Sequence, residues 1–327
     1  EIKQYIKAYL PGFNEDTVTL PICYETQYAS SHDDKKNGNY FYVPNEIDDP
    51  STEKLHENWG DKFAEVHAYY HLNFAYEAFR EISKNPNYTV HQVPLRATVN
   101  FLIPWINNSF GAALFELVPI DNAAFVPALE PGFLDLLDLE RDFDSIIIGQ
   151  GSNTDFAYDG TILYHEFTHA VVRNEVNLSE FSFDDYGFSS GSVAINEGTA
   201  DYFAAVISKK ETIAEYVGKR IPSTFQRGNN KVYRSINNNH KCPDHIQGEE
   251  HFDGHIWSGS LWELRTWYLE QFGADKSDEF DSAVFSILSN NILEQATFEE
   301  AAVQAISGFE TLFGKETSEK ADYIFKS

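Results

Sequence analysis

The chain has 327 residues, 42% hydrophobic and 15% aromatic, with 51 acidic side chains against 24 Lys and Arg and a formal net charge of −27. That length can bury a full core, as two domains or one large two-lobed unit, and disorder of the whole is excluded. So negative a chain does not offer the clustered Lys and Arg of a phosphate-tracking surface, so nucleic acid is not an expected partner.

No apolar run reaches the ~18 residues of a membrane span, and no basic segment followed by an apolar one stands at the N-terminus. The start at Glu1 is that expected of a trimmed or processed chain whose targeting segment is not visible. Cys23 and Cys242 allow one bridge or two thiols, and spacing alone leaves both readings open.

In chain order, the first fifty residues mix turn formers with short β-prone stretches such as Gly38 to Pro44. From Asp61 to Ile82, Phe63, Val66, Tyr70, Phe74 and Ala78 recur at steps of three and four, which predicts one long amphipathic helix. β character returns from Thr89 to Phe125, and Ser145 to Gly149 is a short apolar run ended by Gly. Beyond Asp159-Gly160 the pattern is helical over Thr161–Glu175, Val193–Val217, Ile256–Phe272 and Asp278–Phe313. The expected class is α+β, with a β-rich N-terminal lobe at 1–172 and a helical C-terminal lobe at 173–327. A cleft between such lobes is where a site is expected.

At the junction stands His165-Glu166-Phe167-Thr168-His169, an H-E-x-x-H inside a helical pattern. Residues four apart share a helical face, so both imidazoles can reach one tetrahedral ion, and Glu166 can take a proton from a metal-bound water. The alternative is two histidines meeting ordinary packing needs, but the flanking Ile162-Leu163 and Ala170-Val171-Val172 bury the helix and make unpaired rings costly. A catalytic zinc needs a third protein ligand and an open position. Val172 and Glu175 occupy the offsets where a metzincin would carry Gly and His, which leaves a carboxylate. Glu197 and Asp201 lie one turn apart downstream: Glu197 can bind the metal, and Asp201 can accept the distal ring N–H of a ligand histidine. A solvated acidic face is the plainer reading of that pair, but Ala194, Ile195, Ala200 and Phe203 around it are apolar.

His165 to Val171 and Ala194 to Asp201, with weaker similarity over most of residues 60 to 270, resemble the thermolysin-like gluzincin metallopeptidases and the related fungalysin group. The resemblance implies a two-lobed fold with the active-site helix between the lobes, Zn2+ as cofactor, and protein or peptide substrates. His255 in His255-Ile256-Trp257-Ser258-Gly259 resembles the histidine that donates to the tetrahedral intermediate, with His251 four residues earlier as the other candidate. Arg234 resembles the arginine that binds a substrate carbonyl and steadies the Glu ligand. Asn122 and Ala123 resemble the edge strand that pairs with substrate backbone. Ile162, a turn before His165, is the candidate for the apolar primed-side pocket.

The chain also departs from that pattern. The stretch between His169 and Glu197 is longer than in thermolysin, with Phe181 to Gly187 as the extra loop expected to border the cleft, so Tyr186 stands only as a candidate for the oxyanion-binding tyrosine. No acidic cluster for paired Ca2+ follows Asp201, which leaves calcium unsupported. Similar enzymes are secreted with a cleaved pro-segment, so an extracellular or periplasmic setting is expected. The competing readings are a gluzincin-type aminopeptidase, disfavoured because no G-x-M-E-N-like segment is present, and an inactive binding or adhesion protein that keeps the peptidase fold.

Overall fold

The computed structural model describes residues 2–8, 18–24, 42, 44, 61–90, 95–107, 114–128, 144–152, 154–178, 182–184, 187–189, 191–220 and 234–326. Strands β1 (Ile2–Ala8) and β2 (Val18–Tyr24) form an antiparallel pair. Helix α1 (Lys62–Ile82) begins where Asp61 accepts from the Phe63 and Ala64 amides, the N-cap that satisfies otherwise orphaned donors. It buries Ala64, Ala68, Ala75 and Phe79.

The sheet that serves the site has the order β4-β3-β6-β5, built from β3 (Arg96–Asn107), β4 (Leu114–Pro119), β5 (Ala123–Val126) and β6 (Ser145–Gly149). β3 and β6 run parallel, while β4 and β5 flank them antiparallel, so among the described residues β5 is a terminal strand. Ile146 and Ile148 of β6 are fully buried.

Helix α2 (Gly160–Glu175) carries the H-E-x-x-H segment. Asp159 caps it through the Thr161 amide and uses its other oxygen on the Tyr216 amide, which ties the helix start to a distant turn. Every residue from Thr161 to Val172 is buried, as expected of a helix apolar on both sides of its polar motif. β7 (Ser182–Asp184) and β8 (Gly187–Ser189) form a small hairpin before α3 (Gly191–Ser208). α3 packs against α2 and α5 (Glu250–Phe272), and Phe79, Phe167, Phe203 and Phe285 join these layers in one aromatic cluster.

Three helix boundaries differ from the periodicity reading. α3 stops at Ser208 rather than Val217, because Lys209 turns left-handed at φ 58°. β9 (Thr212–Ile213) then pairs with β10 (Arg234–Ser235), and a short α4 (Glu215–Gly218) follows β9. α5 begins six residues before Ile256, because the Glu249 carboxylate accepts from the Phe252 amide. The stretch expected to be helical over Asp278–Phe313 is two helices, α6 (Ser277–Asn290) and α7 (Phe298–Phe313), the second restarted by a Thr297/Glu300 capping box. A final helix, α8 (Lys315–Phe325), went unread, although Ala321 and Ile324 give it a buried face.

Cys242 is an exposed free thiol, so the bridged reading with Cys23 is not realised, and the Cys23 side chain lies outside the described residues. The β-prone stretch from Gly38 lies outside them too, except Tyr42 and Pro44. No described helix is long and apolar enough to cross a membrane.

Candidate active site

A cleft of about 990 Å3 opens over α2, lined among others by Asn122, Ile162, Glu166, Arg234, His251 and His255. On its floor His165 Nε2 and His169 Nε2 stand 3.0 Å apart. Glu197 arrives from α3, with Oε2 at 3.1 Å from His165 Nε2 and Oε1 at 3.4 Å from His169 Nε2. Three ligand-type side chains from two helices thus bring their donor atoms within 4.8 Å of one another. Glu197 Oε2 is buried yet makes no well-angled hydrogen bond to any described group. Two lone-pair nitrogens and a carboxylate this close repel unless positive charge lies between them, so the donor set fits a cation, and its two imidazoles with one carboxylate suit zinc.

The outer ring nitrogens are fixed from behind. His165 Nδ1 lies 2.8 Å from Asp201 Oδ1, and Arg234 Nε lies 3.1 Å from the same oxygen. His169 Nδ1 lies 2.9 Å from Asn196 Oδ1, and the Asn196 amide in turn donates to the Leu178 carbonyl. These partners hold a proton on each Nδ1 and turn both Nε2 atoms inward, where a cation would take the place of any proton.

Charge in the site is strongly coupled. Burial opposes ionisation of Glu197, but the imidazoles of His169, His165 and His251 hold its carboxyl well below the usual carboxylate range. Burial likewise opposes ionisation of Asp201, and Arg234 with His165 holds it low. For His165, burial and the Arg234 guanidinium disfavour the protonated ring, yet Asp201 and Glu197 outweigh them and push it up to about 9.

Glu166 follows His165 directly, and its Oε2 accepts from the Phe125 amide at 2.8 Å. The terminal strand β5 therefore faces α2 across the cleft. Asn122 and Ala123 lie on the same rim, where the Asn122 carbonyl accepts from the Gly149 amide. Ile162, 6% exposed, sits on the wall.

Arg234 bonds Asp201 and leans on the His165 ring, with Nη2 at 3.4 Å from Nδ1, so its brace runs to the histidine side of the cluster. Of the two candidate histidines, His251 comes nearer the ligands: its Nε2 is 3.6 Å from Glu197 Oε2, and its Nδ1 is 2.7 Å from Glu249 Oε1. His255 packs against His240 and Phe252 with Nε2 buried and unpartnered among the described residues. Burial pushes its imidazole down to about 4, with Arg234 and His240 also opposing the charge and Asp201 favouring it, so the ring is neutral at pH 7. Tyr186 lies outside the described residues.

Sequence reasoning did not find Asn196 or the Phe125 amide. Asn196 was legible as the polar residue beside Glu197, whereas the Phe125 contact depends on where the sheet edge lies.

No protein-family model matches the chain, and no curated protein matches its sequence. Among solved structures, the fold is similar to the precursor of protealysin, a metalloproteinase from Serratia proteamaculans, with a TM-score of 0.57 and 15% identity over 82% of this chain and 78% of that one. The chain thus has the α+β fold of a known metalloproteinase.

Proposed function

We propose that this chain is a zinc-dependent endopeptidase of the thermolysin-like gluzincin type. The observation that carries the reading is the convergence of His165, His169 and Glu197 at the floor of an open cleft, with the Glu166 carboxylate on the next residue of the same helix.

His165, His169 and Glu197 would hold the ion, with Asp201 and Asn196 fixing the two rings. Zinc held there would supply Lewis acidity to the scissile carbonyl and to a water. Glu166 would take a proton from the attacking water and later return it to the leaving amine. One Glu166 oxygen is occupied by the Phe125 amide, which orients the carboxylate and keeps the other oxygen for proton transfer. Substrate lies along β5 as an added strand, with Asn122 and Ala123 at the pairing edge and Ile162 contributing to an apolar pocket. His255, or His251 with Glu249 behind it, donates to the developing oxyanion, a role Tyr186 would share. Arg234 anchors Asp201 and, by the family resemblance, binds a substrate carbonyl.

The two lobes, 1–172 and 173–327, meet at α2 on this reading. The protealysin neighbour is a precursor, and by that likeness we extend a pro-segment to this chain; the resemblance to thermolysin-like enzymes extends to it a secreted or periplasmic setting.

The test is casein cleavage before and after chelation, with zinc added back and the fragment ends sequenced. Internal cleavage that is lost on chelation and restored by zinc supports the reading. Cleavage indifferent to the chelator overturns it, release of N-terminal residues alone assigns an aminopeptidase instead, and zinc binding with no cleavage assigns a binding protein.

A further inference from the structure

Helix α1 carries a second pair of histidines four residues apart. His67 Nε2 and His71 Nε2 face each other at 3.1 Å, with ring centroids 4.2 Å apart and planes inclined at 52°. The outer nitrogen of each ring rests on an oxygen: His67 Nδ1 lies 2.8 Å from the Ala157 carbonyl, and His71 Nδ1 lies 2.6 Å from the Tyr164 hydroxyl. A carbonyl only accepts, so His67 keeps its proton on Nδ1 and turns its Nε2 lone pair toward His71.

The surroundings hold both rings in place. Gly160 backs onto His71 so closely that a Cβ there would come within 2.7 Å of ring atoms Cε1 and Nδ1. Phe63 and Tyr158 pack against His67, and Tyr70 stands edge-on to His71. Burial lowers both imidazoles, that of His71 to about 4 with His67 adding to the effect, so neither carries charge at pH 7. The Asp159 carboxylate adds a field that favours positive charge at His67.

Two neutral imidazoles, each oriented from behind by an oxygen and facing the other through Nε2, have the arrangement of held metal ligands. Their separation is within 0.1 Å of the 3.0 Å between His165 Nε2 and His169 Nε2. Zinc–nitrogen bonds of about 2.0–2.1 Å in a tetrahedron place two ligating nitrogens roughly 3.3 Å apart, so a small opening of the pair suffices.

We propose that His67 and His71 form a second, shallower site for an imidazole-seeking divalent ion such as Zn2+, with water in the remaining positions. Without the ion, His71 Nε2–H donates to His67 Nε2. When the ion binds, His71 carries that proton on Nδ1 instead, where the Tyr164 oxygen accepts it. The rings are half-buried, which leaves a path for water and for the ion. Tyr164 precedes the ligand His165, so an ion here rests against the same helix as the cleft site without sharing a ligand with it.

The test is equilibrium dialysis of the chelator-stripped full chain against zinc chloride. Wild type should take up two zinc ions per chain, and His67→Gln and His71→Gln one each. In parallel, wild type carrying one zinc is labelled with diethylpyrocarbonate, and added zinc should then shield the peptide that holds His67 and His71, a readout that needs no variant to fold. Uptake of one zinc with no shielding, or a second zinc that persists in His71→Gln, overturns the proposal. Either result leaves the first zinc, and with it the cleft reading, where it stands.

Discussion

Asp201 and His165 are joined through a 2.8 Å contact between Oδ1 and Nδ1, with both side chains buried and Arg234 closing on the same carboxylate oxygen. The contact fixes the His165 tautomer and makes the ring a better metal donor. Asp201→Asn keeps the size but gives up the charge, so zinc retention should fall about 10–100-fold in competition with a chromogenic chelator. The fold, followed by circular dichroism, should be kept.

The crossing of α3 and α5 sets Glu197 beside the His165 and His169 rings. A Cβ on Gly198 would lie 2.4 Å from the Gly254 carbonyl oxygen and 2.9 Å from Trp257 Cβ. Gly254 is less tight but still close, since a Cβ there would lie 2.9 Å from the Ala194 carbonyl oxygen and 3.0 Å from Glu197 Cβ. Gly198→Ala must push the helices apart, and overpacking of this kind typically costs 1–3 kcal/mol. Because Glu197 adjoins the contact, zinc affinity should fall with stability. Thermal melts with and without zinc should show a lower midpoint and a smaller zinc-induced rise than in wild type.

The convergence of the candidate metal ligands was legible because its signal is local: residues four apart on one helix must share a face, and apolar neighbours on both sides of His165 and Glu197 point to burial. What brings Arg234 in was not local. Its position depends on α3 ending at a left-handed Lys209, so that β9 can pair with a strand more than twenty residues later. His251 reaches Glu197 because Glu249 caps α5 early, a Glu where Ser, Thr, Asp or Asn would have been the clearer sign. The Thr297 to Glu300 box is a readable helix start inside a stretch whose periodicity alone reads as one longer helix. β5 was legible as a strand from its residues, whereas its place at the end of the sheet, a tertiary fact, came only from the family resemblance.

A pH dependence follows from Asp155, 1% exposed, whose Oδ1 accepts from the Ala157 amide while Oδ2 has no partner among the described residues. Burial pushes its carboxyl up to about 8, the Ala157 hydrogen bond works against that, and Asp61 adds to it. The unfolded chain releases this proton near pH 4 and the folded chain only near 8, so this group's contribution to stability is highest below pH 4 and falls as pH rises to 8. Asp155→Asn keeps the acceptor for Ala157 and removes the titration. Urea midpoints should show the variant gaining on wild type steadily between pH 4 and 8, with the difference level above that.

On the proposed reading Glu166 moves the proton while His165, His169 and Glu197 hold the ion. Glu166→Gln retains the shape and can still accept from the Phe125 amide, but it cannot take a proton from water. The direct measurement is the rate of internal peptide-bond cleavage by Glu166→Gln beside wild type, with bound zinc quantified in both samples. The account predicts equal zinc content and a rate lower by about 10²–10⁴-fold. A variant that holds its zinc and cleaves at the wild-type rate would contradict it.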